Sequence, residues 1–160
     1  MRRVSLLLVA AALLLALSAG VAFAGNFIGT SGSDTINGTD TADFIDGKGG
    51  NDQLFGEDGR DTILGRGGDD LIDGGRGPDR LTGGYGDDTI YGGGGNDAVN
   101  GGPGDDTIIV GDDANGPKGA DQYACGGGFD IVYVGSSDNS NLQDEENCEE
   151  TTNQEPPPAP

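Results

Sequence analysis

Residues 74–109 read GGRGPDRLT, GGYGDDTIY, GGGGNDAVN and GGPGDDTII. In these four blocks of nine, glycine holds places one, two and four, aspartate place six and a large apolar residue place eight. The period runs back without a gap to Gly29. It is interrupted at residues 110–115 (VGDDAN), then resumes as GPKGADQYA and CGGGFDIVY and ends at Tyr133. Eleven segments result. Column six is aspartate in every one: Asp34, Asp43, Asp52, Asp61, Asp70, Asp79, Asp88, Asp97, Asp106, Asp121 and Asp130. Column eight is Ile36, Ile45, Leu54, Ile63, Ile72, Leu81, Ile90, Val99, Ile108, Tyr123 and Val132. Compositional drift would scatter these residues over all phases, so a fixed phase implies a fixed geometry.

Each column has a physical reading. Glycines at one and four let the backbone turn through positive φ and expose its carbonyls. Columns seven to nine form a three-residue strand, whose alternation points column eight one way and its neighbours the other. A turn plus a short strand reverses the chain, so two segments make one coil of 18 residues with a parallel ladder on each side. Column eight from both ladders fills the space between them. Each turn then stacks on the turn two segments away, and the column-six carboxylates meet the glycine carbonyls there. Carboxylates with backbone carbonyls are the oxygen set that calcium prefers. Nine unbroken segments allow up to about seven regular sites of this kind.

The pattern resembles the hemolysin-type calcium-binding repeat, also called repeats-in-toxin, written G-G-x-G-x-D-x-U-x with U a large apolar residue. The resemblance covers Gly29 to Tyr133. It implies an all-β, right-handed parallel β-roll, a solenoid with Ca2+ held in its turns. It also places the ligand role on the eleven column-six aspartates, beside the carbonyls of the glycine turns.

Residues 1–24 read as a secretory signal peptide: Arg2 and Arg3, an apolar run from Val4 to Leu17, and Ala22-Phe23-Ala24 as the cleavage end. An uncleaved anchor is the rival reading. A secreted, extracellular chain would meet abundant calcium, with no membrane contact after cleavage. Export also permits a disulfide between the two cysteines, Cys125 and Cys148, with two free thiols as the alternative. The chain carries 28 acidic and 8 basic residues, for a net charge of −20. That charge excludes nucleic acid as a partner, since phosphate binding needs clustered Lys and Arg. There is no histidine, hence no histidine-based triad, and no metalloprotease or serine-elbow motif. The chain reads as a non-enzyme.

Several departures from the period carry expectations. Column two is glycine only from Gly75 onward, with Thr30, Thr39, Lys48, Glu57 and Arg66 before it; the sharpest turns and tightest sites are expected over 74–106. Thr41 stands where column four calls for glycine, and a β-branched residue resists positive φ, so the turn ending in Asp43 should be weak or distorted. The insertion at 110–115 is expected to break the stack after Ile109. Residues 25–28 form a lead-in whose Phe27, in the column-eight phase, plugs the N-terminal end. Residues 134–150 form a C-terminal cap tied back by Cys148, and 151–160 a Pro-rich disordered tail. Phe55, Tyr91 and Ile109 share the outward column nine. They suggest either a calcium-dependent interaction or adhesion surface for an extracellular partner, or a patch covered by the cap.

Overall fold

The structure, a computed structural model, describes residues 24–110, 121–134, 148 and 150–152. The expected signal peptide up to residue 23, most of the inserted loop, most of the cap and the tail from residue 153 lie outside the described residues.

The repeat dictates an all-β solenoid, and this is what forms. Among the described residues there are thirteen strands and no helix: β1 Asn26–Ile28, β2 Thr35–Asn37, β3 Phe44–Asp46, β4 Gln53–Phe55, β5 Thr62–Gly67, β6 Leu71–Asp73, β7 Arg80–Tyr85, β8 Thr89–Tyr91, β9 Ala98–Pro103, β10 Thr107–Ile109, β11 Gln122–Gly127, β12 Ile131–Tyr133 and β13 Glu150–Thr152. Strands β1 to β12 alternate between two parallel sheets, and β13 joins the second beside β12. One runs β1-β3-β5-β7-β9-β11, the other β2-β4-β6-β8-β10-β12-β13. The register steps by one coil of 18 residues, for example Ile63 to Leu81 and Ile72 to Ile90.

Column eight builds the core. Ile45, Leu54, Ile63, Ile72, Leu81, Ile90, Ile108 and Val132 are fully buried, with Val99 nearly so. Phe27, Ile36 and Tyr123 pack partly buried at the ends of the same cluster. Only one large side chain per nine residues points inward, so the sheets are held by stacked backbone ladders around a thin apolar seam.

Five features depart from the sequence expectations. First, β5, β7, β9 and β11 span six residues rather than three, because columns one to three continue the pairing, as at Arg66 to Gly84 and Gly67 to Tyr85. Second, the insertion leaves the stack intact. β9 pairs with β11 and β10 with β12, so the coils on either side of the insertion keep their register. Val110, assigned to the insertion, is buried in the core cluster, and its N–H donates to the Tyr133 carbonyl at 3.0 Å. Third, residues 25–28 are more than a lead-in. β1 pairs with β3, Phe27 opposite Ile45, and Gly25 accepts from the Phe44 N–H at 3.0 Å. Fourth, β13 adds to β12, with Thr151 opposite Val132, so the ladder runs past the boundary drawn at residue 150. Fifth, Tyr91 and Ile109 are paired neighbours, as expected, but both are buried, so neither offers an exposed apolar surface.

The Cys125–Cys148 disulfide forms, with Cα atoms 5.4 Å apart. It anchors the chain two residues before β13 and so closes the C-terminal end of one sheet.

Candidate metal centre

Alternation between the sheets divides the turns into two stacks. One carries Asp34, Asp52, Asp70, Asp88, Asp106 and Asp130, the other Asp43, Asp61, Asp79, Asp97 and Asp121. Within each stack every aspartate N–H but the last donates to Oδ1 of the aspartate one coil later. The distance is 2.8 Å for Asp52 to Asp70 and Asp61 to Asp79, and 2.9 Å for Asp88 to Asp106. The ladder crosses the insertion at 2.9 Å from Asp97 to Asp121 and from Asp106 to Asp130. At the N-terminal end the Gly25 N–H meets Asp43 Oδ1. All eleven aspartates predicted from sequence therefore stand in two continuous rows, and all but Asp34 are buried.

Oδ1 is thus engaged by backbone, and Oδ2 faces elsewhere. A β-carbon on Gly74 would lie 2.9 Å from Asp79 Oδ2 and 2.6 Å from the Gly92 carbonyl oxygen. At Gly65, Gly83 and Gly101 it would strike the Oδ2 of Asp70, Asp88 and Asp106, and lie 2.7, 2.7 and 2.6 Å from the carbonyls of Gly83, Gly101 and Cys125. Gly47 and Gly56 repeat the arrangement with Asp52 and the Gly65 carbonyl, and with Asp61 and the Gly74 carbonyl. Column-one glycine is therefore required for space. The missing side chain lets a carboxylate oxygen and a carbonyl of the next coil close in together over the glycine, an oxygen pair termed here a cradle.

These oxygens lack donors. The Oδ2 atoms of Asp52, Asp61, Asp70, Asp79, Asp88 and Asp106 are buried without a hydrogen-bond partner. Among the described residues, the carbonyls of Gly56, Gly74 and Gly92 accept no backbone hydrogen bond. A buried, unpartnered carboxylate oxygen is costly. Burial accordingly raises the carboxyl pKa values: Asp79 to about 8, Asp88 to about 7, and Asp61, Asp70 and Asp106 to about 6, from an ordinary 3.8. The N–H donated from the preceding coil opposes the rise, and neighbouring carboxylates add to it. A hard, all-oxygen set with one negative charge suits a calcium ion. No group of three or more His, Cys, Asp or Glu side chains converges among the described residues; the second oxygen at each cradle is a backbone carbonyl. One carboxylate oxygen, Oδ2, approaches each cradle, while Oδ1 of the same aspartate accepts the N–H of the preceding coil.

Three turns differ. Asp34 and Asp43 each receive two donors on Oδ2, from the N–H and hydroxyl of Thr30 and Thr39. Cys125 occupies column one of the Asp130 turn and carries the β-carbon that the cradles lack.

Column two also corrects an expectation. Lys48, Glu57 and Arg66 adopt φ of 76°, 74° and 83°, the same left-handed conformation as Gly75, Gly84, Gly93 and Gly102. Column two is therefore left-handed alike from Lys48 to Gly102 rather than only from Gly75. The strain, on the order of 1–2 kcal/mol per residue, is held by stacking bonds such as Arg76 N–H to the Glu57 carbonyl at 2.7 Å. Arg66 in addition reaches Asp46 through two contacts of 2.9 and 3.0 Å.

The family model described as the RTX calcium-binding nonapeptide repeat matches the chain in four copies, at residues 20–54, 28–63, 46–81 and 73–108, together more than half its length. Neither curated proteins nor solved structures gave a match.

Proposed function

The chain belongs to the RTX calcium-binding nonapeptide repeat family, and from that premise we propose that it binds calcium at six regular cradles and folds on doing so. The ligands are Oδ2 of Asp52, Asp61, Asp70, Asp79, Asp88 and Asp106, with the column-one carbonyls of the following coil. The observation that carries this reading is the row of buried Oδ2 atoms without a donor, each close to a carbonyl of the next coil across a column-one glycine. Bound there, calcium would supply the positive charge those oxygens lack. Five of these six sites fall within the seven expected from sequence. The pairs headed by Asp34 and Asp43 drop out, and the site headed by Asp106 is added across the insertion.

The fold explains the coupling of binding to folding. The protein's own groups orient the carboxylates through the N–H to Oδ1 ladder, but leave stacked, buried charges facing carbonyl dipoles. In the unfolded chain those carboxylates are solvated. A ligand that binds only the folded roll shifts the balance by mass action. The leader at residues 1–24 supports an exported protein working in calcium-rich surroundings, where modules of this kind bind at roughly 10⁻⁴–10⁻³ M.

Circular dichroism through a calcium titration tests the proposal. The full mature chain should be largely disordered in chelator and gain strand signal in millimolar calcium. A spectrum unchanged up to about 10 mM, a saturating level on that affinity scale, contradicts it.

A further inference from the structure

The first two turns hold the same aspartate, column-one glycine and facing carbonyl as the others. A β-carbon on Gly29 would lie 2.9 Å from Asp34 Oδ2 and 2.5 Å from the Gly47 carbonyl. On Gly38 it would lie 2.9 Å from Asp43 Oδ2 and 2.6 Å from the Gly56 carbonyl. Only the partners of Oδ2 differ. Thr30 donates to Asp34 through its N–H at 2.6 Å and its hydroxyl at 2.9 Å. Thr39 does the same to Asp43 at the same two distances. The hydroxyls are themselves positioned, that of Thr30 by the Gly32 N–H at 3.2 Å and that of Thr39 by Thr41 Oγ1 at 3.1 Å.

Backbone and side chain change together. Column two is left-handed at Lys48, Glu57, Arg66, Gly75, Gly84, Gly93 and Gly102, but at neither Thr30 nor Thr39. A β-branched residue resists that conformation. Where threonine keeps the turn out of it, a backbone N–H and a hydroxyl converge on the oxygen that elsewhere has no donor.

We propose that Thr30 and Thr39 take the cation's place at Asp34 and Asp43, making the first coil a metal-free cap on a calcium-loaded roll. The inference rests on the calcium reading of the other cradles. Two donors on one oxygen use its lone pairs, and the dipoles that satisfy the carboxylate repel a cation approaching it. A calcium ion would have to break both bonds before gaining the ligand.

Native mass spectrometry of the full mature chain in saturating calcium counts the bound ions. Asp34→Asn and Asp43→Asn should leave the count unchanged, and loss of an ion from either overturns the cap. Asp70→Asn should lower the count by one, since Asn keeps the Oδ1 acceptor but removes the charge at Oδ2. An unchanged count there overturns the calcium reading of the cradles instead, so the two failures are distinguishable. Thr30→Gly, which restores glycine at columns one, two and four of the first turn, should add one ion. A count that does not rise refutes the role given to Thr30.

Discussion

The turn ending in Asp34 and the turn ending in Asp70 share column-one glycine, column-four glycine and column-six aspartate. They nonetheless settle the same carboxylate in opposite ways. At Asp34, a threonine two residues into the turn brings an N–H and a hydroxyl to Oδ2. At Asp70, Arg66 in the same column is left-handed, and Oδ2 is buried with no donor. The difference teaches that the aspartate column alone does not define a metal site. Column two decides whether the carboxylate is satisfied from within the chain or awaits a cation.

The C-terminal end gives the largest expected contrast with the threonine cap. The Cys125–Cys148 bridge closes a loop of sequence separation 23, which the chain-entropy model values at about 3 kcal/mol. Replacing both cysteines by serine should lower the unfolding midpoint of the calcium-loaded protein accordingly. Hydrogen exchange should show β12 and β13 opening first while β2 and β4 keep their protection. Equal loosening at both ends would show that the two caps are not independent.

Alanine at column one sharpens the comparison next. Gly83→Ala puts a β-carbon against Asp88 Oδ2 and 2.7 Å from the Gly101 carbonyl, an overpacking that costs roughly 1–3 kcal/mol. It should also remove one calcium. Gly29→Ala meets a similar clash and should destabilise by a similar amount without changing the calcium count. Calorimetric titration of both variants reads stability and stoichiometry together.

Proton linkage probes the cradles themselves. The carboxyls of Asp79 and Asp88 are raised by burial to about 8 and about 7, above the 3.8 of an unfolded aspartate. The metal-free roll therefore takes up protons on folding, and its stability is greatest below about pH 4 and falls as pH rises towards 8. Calcium needs the ionised form, so lowering pH from 8 to 5 should weaken calcium binding, and binding near neutrality should release protons. A weakly buffered titration checks the sign. Uptake of protons, or affinity independent of pH, would contradict the assignment of these aspartates.

The smallest effect lies at Lys48. Its φ of 76° is unfavourable for a side chain, and glycine removes that strain at some entropic cost. Lys48→Gly should raise thermal stability by no more than about 1 kcal/mol and leave the calcium count alone. Thr30→Gly, at the same column, should change the count.

Much of this was legible in the sequence. The fixed phases of columns six and eight predicted two parallel ladders, an interior row from Ile45 to Val132 and two stacks of aspartates. The allotment of oxygens was not, because one carboxylate can serve either an N–H or a cation, and the letter Asp is the same. The continuity across the insertion was hidden because a break in period reads as a break in structure. In fact a longer connection costs little if the flanking coils stay in register. β13 was hidden for the reverse reason: Glu150–Thr152 carries no repeat motif, yet a strand next to a tethered cysteine needs only backbone groups to extend a ladder. The Thr30 and Thr39 donors left a signal that could have been read, a hydroxyl residue at column two in the first two turns alone.

Long-wavelength anomalous diffraction from crystals of the protein grown in calcium tests the central claim most directly. The account predicts anomalous peaks beside Gly47, Gly56, Gly65, Gly74, Gly83 and Gly101, each against the Oδ2 of its turn's aspartate, with no peak beside Gly29 or Gly38. Empty cradles beside those six glycines, or calcium seated at Asp34 and Asp43, would contradict it.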